Sequence, residues 1–190
     1  MRSRSTMPVI GLIGGREAAS GVVPTLTDVR VVGIDPGLAD CGYAVVEARG
    51  RTVVAIEYGC WQTAASLPTG RRLLTLFTGV TDLVLKHQPD TVAIEESFVG
   101  RDPRGALVVG QVRGAIVVAC ALAGYPCVQY APASVKQAVC GYGRAEKAQV
   151  QQMAKAMLHL ERTPTPTHAA DALAVAICHA MAPPLMRLAS

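Results

Sequence analysis

A chain of 190 residues, 51% hydrophobic and 17% charged, is long enough for one packed domain and too apolar to be disordered. No apolar run reaches the ~18 residues a bilayer span needs; the longest candidate, residues 114–124, falls short. The net charge of +4 is uneven: residues 30–98 hold six basic and eight acidic side chains, whereas 99–155 set Arg101, Arg104, Arg113, Lys136, Arg144, Lys147 and Lys155 against only Asp102 and Glu146. That layout suits a polyanion bound beside a carboxylate cluster, or, more plainly, a solvated basic surface.

Residues 1–29 differ from the rest. Two early Arg, a short apolar stretch from Pro8 to Ile13 and an Ala-Ala-Ser faintly resemble a signal peptide, but glycines break the apolar core. The expectation is a flexible N-terminal extension over 1–29, one domain over 30–182 and a short tail over 183–190.

Val31–Ile34 reads as a buried strand stopped by the turn Asp35-Pro36-Gly37. Gly42–Glu47 and Thr52–Gly59 read as two further strands of an antiparallel meander. From Leu67 to His87 the apolar period becomes helical, with Leu73, Leu74, Phe77, Val80, Leu83 and Val84 on one face. Thr91–Glu95 is a fourth strand; arriving after a helix, it is expected parallel to the first. Pro103–Ala123 is a helix apolar on most sides, where Gly110 and Gly114 permit close approach, so it belongs in the core or in a subunit contact. Val128–Tyr130 is a short fifth strand, and Lys136 follows in a helical turn. Ala145–Leu160 is an amphipathic helix, Thr163-Pro164-Thr165-Pro166 a stiff linker, and His168–Ala180 the last helix. The order predicts an α/β fold: one five-stranded mixed sheet with helices on both faces. The six cysteines form no C-x-x-C pair and sit mostly in apolar surroundings, as small thiols do in a reducing cytoplasm.

Three places carry chemistry. Asp35 stands where a buried strand ends, although an Asx turn before Pro-Gly would also place an Asp there. Asp40 reads as a solvated loop acid. Val92-Ala93-Ile94 runs into Glu95 and Glu96, which strand alternation sends to opposite faces, so only one of them joins Asp35. His168 and Asp171, three apart, share a face in the first turn of an Ala-rich helix. A helix start alone would favour Asp171 and tolerate a solvated His168. Together, three carboxylates and an imidazole suit Mg²⁺ or Mn²⁺. Two such ions ~3.5–4 Å apart activate a water and stabilise the leaving oxygen of a phosphodiester. The basic segment, with Arg101, Arg104 and Arg144, would hold the backbone of the substrate.

These residues fall in five motifs met in order: GIDPG-x-x-x-x-GY, AIE-x-x-F, V-K-Q, G-x-AEK-x-QVQ-x-M and HAADALA-x-A. Together they closely resemble the RuvC-type Holliday-junction resolvases, whose fold is related to RNase H, over residues 30–180. The resemblance implies a homodimeric, Mg²⁺-dependent, cytoplasmic endonuclease of recombination and repair. Such an enzyme nicks two strands of a four-way DNA junction symmetrically and works with a branch-migration helicase. It matches Asp35, Glu95 and Asp171 to the catalytic carboxylates. His168 falls where many members carry a further aspartate and others a histidine, which would shift metal preference towards Mn²⁺. It places Lys136 and Lys147 near the DNA backbone and Phe98 against bases at the junction centre. Two other readings stay open beside it. One is a junction-binding module that does not cut. The other is a fragment of an actin-like ATPase or kinase, whose Asp-x-Gly phosphate loop also follows a strand; a second domain and a second glycine-rich loop are missing here.

Overall fold

The structure, a computed structural model, describes residues 28–50, 52–96 and 103–183. Most of the expected N-terminal extension and C-terminal tail, together with Phe98 and Arg101, lies outside the described residues.

Three strands, β1 (Val29–Asp35), β2 (Asp40–Arg49) and β3 (Thr52–Gln62), form the antiparallel meander. Helix α1 (Thr69–His87) leads to β4 (Thr91–Glu95), which pairs parallel with β1. Helix α2 (Pro103–Ala123) leads to β5 (Cys127–Tyr130), parallel to β4. Helices α3 (Pro132–Cys140), α4 (Lys147–Met157) and α5 (Thr167–Ala180) complete the chain. The sheet order is β3-β2-β1-β4-β5. The predicted mixed sheet is therefore present, with longer β2 and β3 than their apolar cores suggest.

Two predictions change. The turn around Lys136 is a full helix, α3, opened by Pro132 at its first position and closed by Gly141 with φ 83°. Proline suits the first helical turn because no intrahelical N–H bond is lost there, and glycine enters the left-handed region without a Cβ clash. Secondly, Arg104–Ala123 is long and apolar enough to cross a membrane by length and composition, with mean hydropathy 2.0. Gln111 and Arg113 break the apolar run without lowering the average below a spanning value. One face of this helix packs against the sheet through Val112, Ile116, Ala119 and Cys120, which are buried.

The sheet divides two cores. On one face α1 and α2 cover Val32, Ile34, Val45, Val92 and Ile94. On the other, α3, α4 and α5 cover Val31, Ala44, Val46 and Ala93. Alternation of side chains along β1 and β4 produces this split. Helix α5 lies directly on the sheet. A Cβ on Gly33 would sit 2.2 Å from Ala172 O, and one on Gly42 would sit 1.9 Å from His168 O. The missing side chains let the backbone of α5 touch β1 and β2, and its alanines maintain that approach. Tyr130 Oη and His179 Nδ1, 2.8 Å apart, tie the far end of α5 to β5. At the other end, the contact of Gly42 with His168 sets the first turn of α5 beside the carboxyl end of β1, where Gly42 pairs with Asp35.

Candidate active site

Strands β1 and β4 run side by side with Ile34 opposite Ile94, so Asp35 and Glu95 leave the sheet at the same level. Alternation then separates the paired acids. Glu95 lines the cleft shared with Asp35, and Glu96 is exposed. The first turn of α5 brings His168 and Asp171 to the same place. His168 Nδ1 lies 2.7 Å from Asp35 Oδ2, and donor atoms of Asp35, His168 and Asp171 lie within 4.8 Å of one another. The open cleft has a volume of about 390 Å³.

Its basic side comes from α3 and α4. Lys136 and Lys147 both line the cleft, and Lys147 Nζ is 2.6 Å from Asp171 Oδ2. Lys147 opens α4, whose start is held by a capping box: the Glu146 side chain accepts from the backbone at Gln149, and Glu146 N donates to Gln149 Oε1 at 2.9 Å. Tyr142 Oη donates to the same Gln149 oxygen at 2.6 Å. Local capping therefore sets the direction of a lysine that reaches the carboxylates. Val135, Val150, Pro132 and Ala174 supply apolar walls.

Burial between apolar walls and the nearness of other acids raise two of these carboxyls. Burial, then the charges of Asp35 and Asp171, pushes the Glu95 carboxyl up to about 7. Burial also raises Asp35, opposed by the His168 hydrogen bond. A divalent cation among these groups would reverse that balance by favouring the ionised carboxylates. Two carboxylates and an imidazole within one ion's reach, with Glu95 alongside, form a hard, oxygen-rich donor set. The residues fit a divalent metal on that chemistry.

Asp40, read as a solvated acid, accepts from Gln62 Nε2 at 2.8 Å and stands apart from the donor group. Arg104 and Arg144 are exposed, on the first turn of α2 and in the loop before α4. One support was missed in the sequence. The turn after Asp35 is held by Thr63, whose N–H donates to Ala39 O at 2.9 Å and whose hydroxyl donates to Leu38 O at 2.5 Å. Arg72 Nε donates to that hydroxyl at 2.8 Å. The three parts lie in the β1–β2 turn, just past β3 and on α1, so no local pattern announces them.

A sheet of this topology, with a carboxylate and imidazole cluster at the carboxyl end of its central parallel strands, is the arrangement of the RNase H-like fold class. Residues 31–179 match the family model described as crossover junction endodeoxyribonuclease RuvC. The chain is 49% identical over 150 residues to the crossover junction endodeoxyribonuclease RuvC of Moorella thermoacetica, covering 79% of this chain and 90% of that protein. It is 47% identical over 150 residues to that of Desulfitobacterium hafniense, covering 79% and 91%. Among solved structures, Thermus thermophilus RuvC in complex with a Holliday junction substrate superposes with a TM-score of 0.79 at 35% identity, covering 85% of this chain and 96% of that one. This chain belongs to the RuvC family.

Proposed function

We propose that this chain is a structure-selective endonuclease that hydrolyses phosphodiesters of four-way (Holliday) DNA junctions, giving paired symmetric nicks in homologous recombination and DNA repair. The observation that carries it is the convergence of Asp35, Glu95, His168 and Asp171 in one cleft flanked by Lys136 and Lys147. Asp35, His168 and Asp171 would hold a divalent metal, with Glu95 completing the donor set for a second. When bound, such ions supply an activated water and stabilise the leaving oxygen. Lys147, paired with Asp171, holds positive charge where a scissile phosphate would enter, and Lys136 adds to it. Arg104 and Arg144, exposed outside the cleft, are assigned to DNA contact; Phe98 and Arg101 are assigned to it as well. The nuclease unit is residues 30–182. Mg²⁺ is the ordinary metal. The imidazole at 168 favours Mn²⁺ as an equal or better substitute.

Two symmetric nicks require two sites related by a two-fold axis, hence a homodimer. Support comes from α2, where Leu107, Val118 and Leu122 are 72%, 51% and 63% exposed along the stripe that contains Gly110 and Gly114. A branch-migration helicase and a cytoplasmic location complete the proposal; the basic segment and the six unbridged thiols are compatible with them.

The test is metal-dependent nicking of a four-way junction against linear duplex of the same sequence. Selective paired nicks are expected with Mg²⁺ or Mn²⁺. Junction binding without cutting in either metal would leave a binding module, and ATP turnover by the pure protein would point to the actin-like alternative. Within the site, His168→Asp should keep cleavage and reduce the preference for Mn²⁺, whereas His168→Ala should lose most of it.

A further inference from the structure

Asp35 leaves the sheet at the end of β1, and the turn over residues 36–39 decides how it leaves. That turn is tight: a Cβ on Gly37 would sit 2.1 Å from Asp40 O, and Asp35 pairs with Gly42 across the hairpin. Two carbonyls of the turn are taken from outside it by a single residue. Thr63 N donates to Ala39 O at 2.9 Å, and the Thr63 hydroxyl donates to Leu38 O at 2.5 Å. Thr63 is buried, so protein partners orient its hydroxyl. That hydroxyl also accepts from Arg72 Nε, in the first turn of α1, at 2.8 Å. Leu38, Leu73 and Phe77 pack against the same apolar core. Arg30 and Arg49 pair with Glu47, whereas Arg72 forms no ion pair among the described residues. Its printed contact is the threonine hydroxyl.

We propose that Thr63 and Arg72 are positioning residues for the metal site: the relay from Arg72 Nε through the Thr63 hydroxyl to Leu38 O fixes the turn, and with it the direction in which Asp35 presents its carboxylate. The inference rests on the metal-binding reading of the cleft given above. Neither residue lines the cleft, so both act through the backbone of the turn. The carboxylate itself is met from the other side, where Asp35 Oδ2 lies 2.7 Å from His168 Nδ1. Helix α5 covers one face of the sheet and α1 the other. One ligand is therefore set from both layers, by an imidazole at its oxygen and by the relay at its backbone. A metal-binding constellation has to be held to about 0.5 Å. Loss of a hydrogen bond that supports a ligand typically lowers metal affinity roughly 10–100-fold. Thr63 and Arg72 act one step further from the ion than such a partner, so the lower end of that range is expected. Charge alone predicts the reverse for Arg72. Removing a cation from this end of the sheet would tighten the binding of a dication.

The experiment is Mn²⁺ binding to the full chain without DNA, read by electron paramagnetic resonance of the free ion. Thr63→Val keeps the shape of the side chain and removes the hydroxyl; Arg72→Met removes the donor and the charge. Each should weaken Mn²⁺ binding ~10-fold. The double variant should bind no more weakly than the worse single one, because both break the same relay. Thr63→Ser restores the hydroxyl and should bind as the wild type does. The amide at position 63 donates to Ala39 O, and its hydrogen exchange should quicken several-fold in Thr63→Val and Arg72→Met with circular dichroism unchanged. Arg72→Met carries the test if Thr63→Val does not fold. Unchanged affinity in the folded variants, tighter binding in Arg72→Met, or equal losses in Thr63→Ser and Thr63→Val would overturn the proposal and leave the metal reading standing. A wild-type chain that binds no Mn²⁺ would remove the metal reading and this inference with it. None of these readouts depends on junction cleavage.

Discussion

Helices α2 and α5 are both apolar and rich in alanine, yet they serve the molecule differently. Every residue of α5 from Ala169 to Ala180 is buried except Asp171. Helix α2 leaves Leu107, Val118 and Leu122 in solvent. The difference lies in where the glycines stand. For α5 they are on the sheet, at Gly33 and Gly42, and each is in backbone contact with the helix. For α2 they are on the helix itself, at Gly110 and Gly114, where a Cβ would meet nothing within 4 Å. A glycine filled by a neighbour fixes a helix and the polar residues at its start. A glycine facing open space leaves a surface for a close-approaching partner.

The largest effect should come from the acids that α5 and the sheet bring together. Asp35→Asn, Glu95→Gln and Asp171→Asn should each lower junction cleavage by ~10²–10⁴-fold, the range for loss of a positioned proton-transfer or charge-holding group. Binding in a gel-shift assay should survive. Glu96→Gln, exposed on the other side of the strand, should cut near normally. Reversal between Glu95 and Glu96 would show that the cleft is misread. Next come the glycines. Gly42→Ala places a Cβ on His168 O and should cost at least ~1–3 kcal/mol, the usual penalty for overpacking, visible as a lower midpoint in urea. Cleavage should fall as well, because the first turn of α5 carries His168 and Asp171. Gly114→Ala should do the opposite to the monomer, adding up to ~1 kcal/mol through helix propensity, while weakening self-association. Leu122→Glu should abolish self-association, read by sedimentation velocity, with the fold intact. A variant still dimeric at the same concentration would remove α2 from the interface.

Much of this was legible from the chain because the periods are strong. The switch from alternation to helical spacing at α1, the turn after Asp35, and the polar pair opening α5 each have a local cause. Alternation separated Glu95 from Glu96 but could not say which faced Asp35. That depended on the parallel register Ile34↔Ile94, a relation between strands 60 residues apart. The contact of Gly33 and Gly42 with α5 was hidden for the same reason: a glycine in a strand looks alike whether it faces a helix or a void. The Thr63 and Arg72 support of the turn at Leu38 also joins distant segments. Helix α3 is a different case. Pro132 and Gly141 mark its two ends in the sequence, and nine residues are simply too few for a periodic pattern to stand out.

The smallest effect sharpens what the packing of α5 does to the acids beneath it. Burial and the neighbouring Asp35 and Asp171 raise Glu95 from its ordinary value of 4.5 to about 7. A carboxyl raised on folding favours the folded state while it is protonated. Its contribution is fully present below 4.5 and is lost as pH rises through about 7. Asp35, raised mainly by burial, adds in the same direction. Glu47 and Glu57 act oppositely. Their hydrogen bonds to Arg30 and Lys86 lower them, so their contribution is lost only as pH falls below the ordinary carboxylate range. Between pH 5 and 8, therefore, the Tm of protein in EDTA should decline. Glu95→Gln removes the proton that titrates and should flatten the decline while raising the Tm at pH 8. Millimolar Mg²⁺ should also flatten it, because a dication stabilises the ionised acids most where they are ionised. Leu122→Glu on α2 should leave the slope unchanged, since its stripe is remote from the cleft. A slope that survives Glu95→Gln in full would assign the titration to another group and separate the packing of α5 from the protonation of its acids.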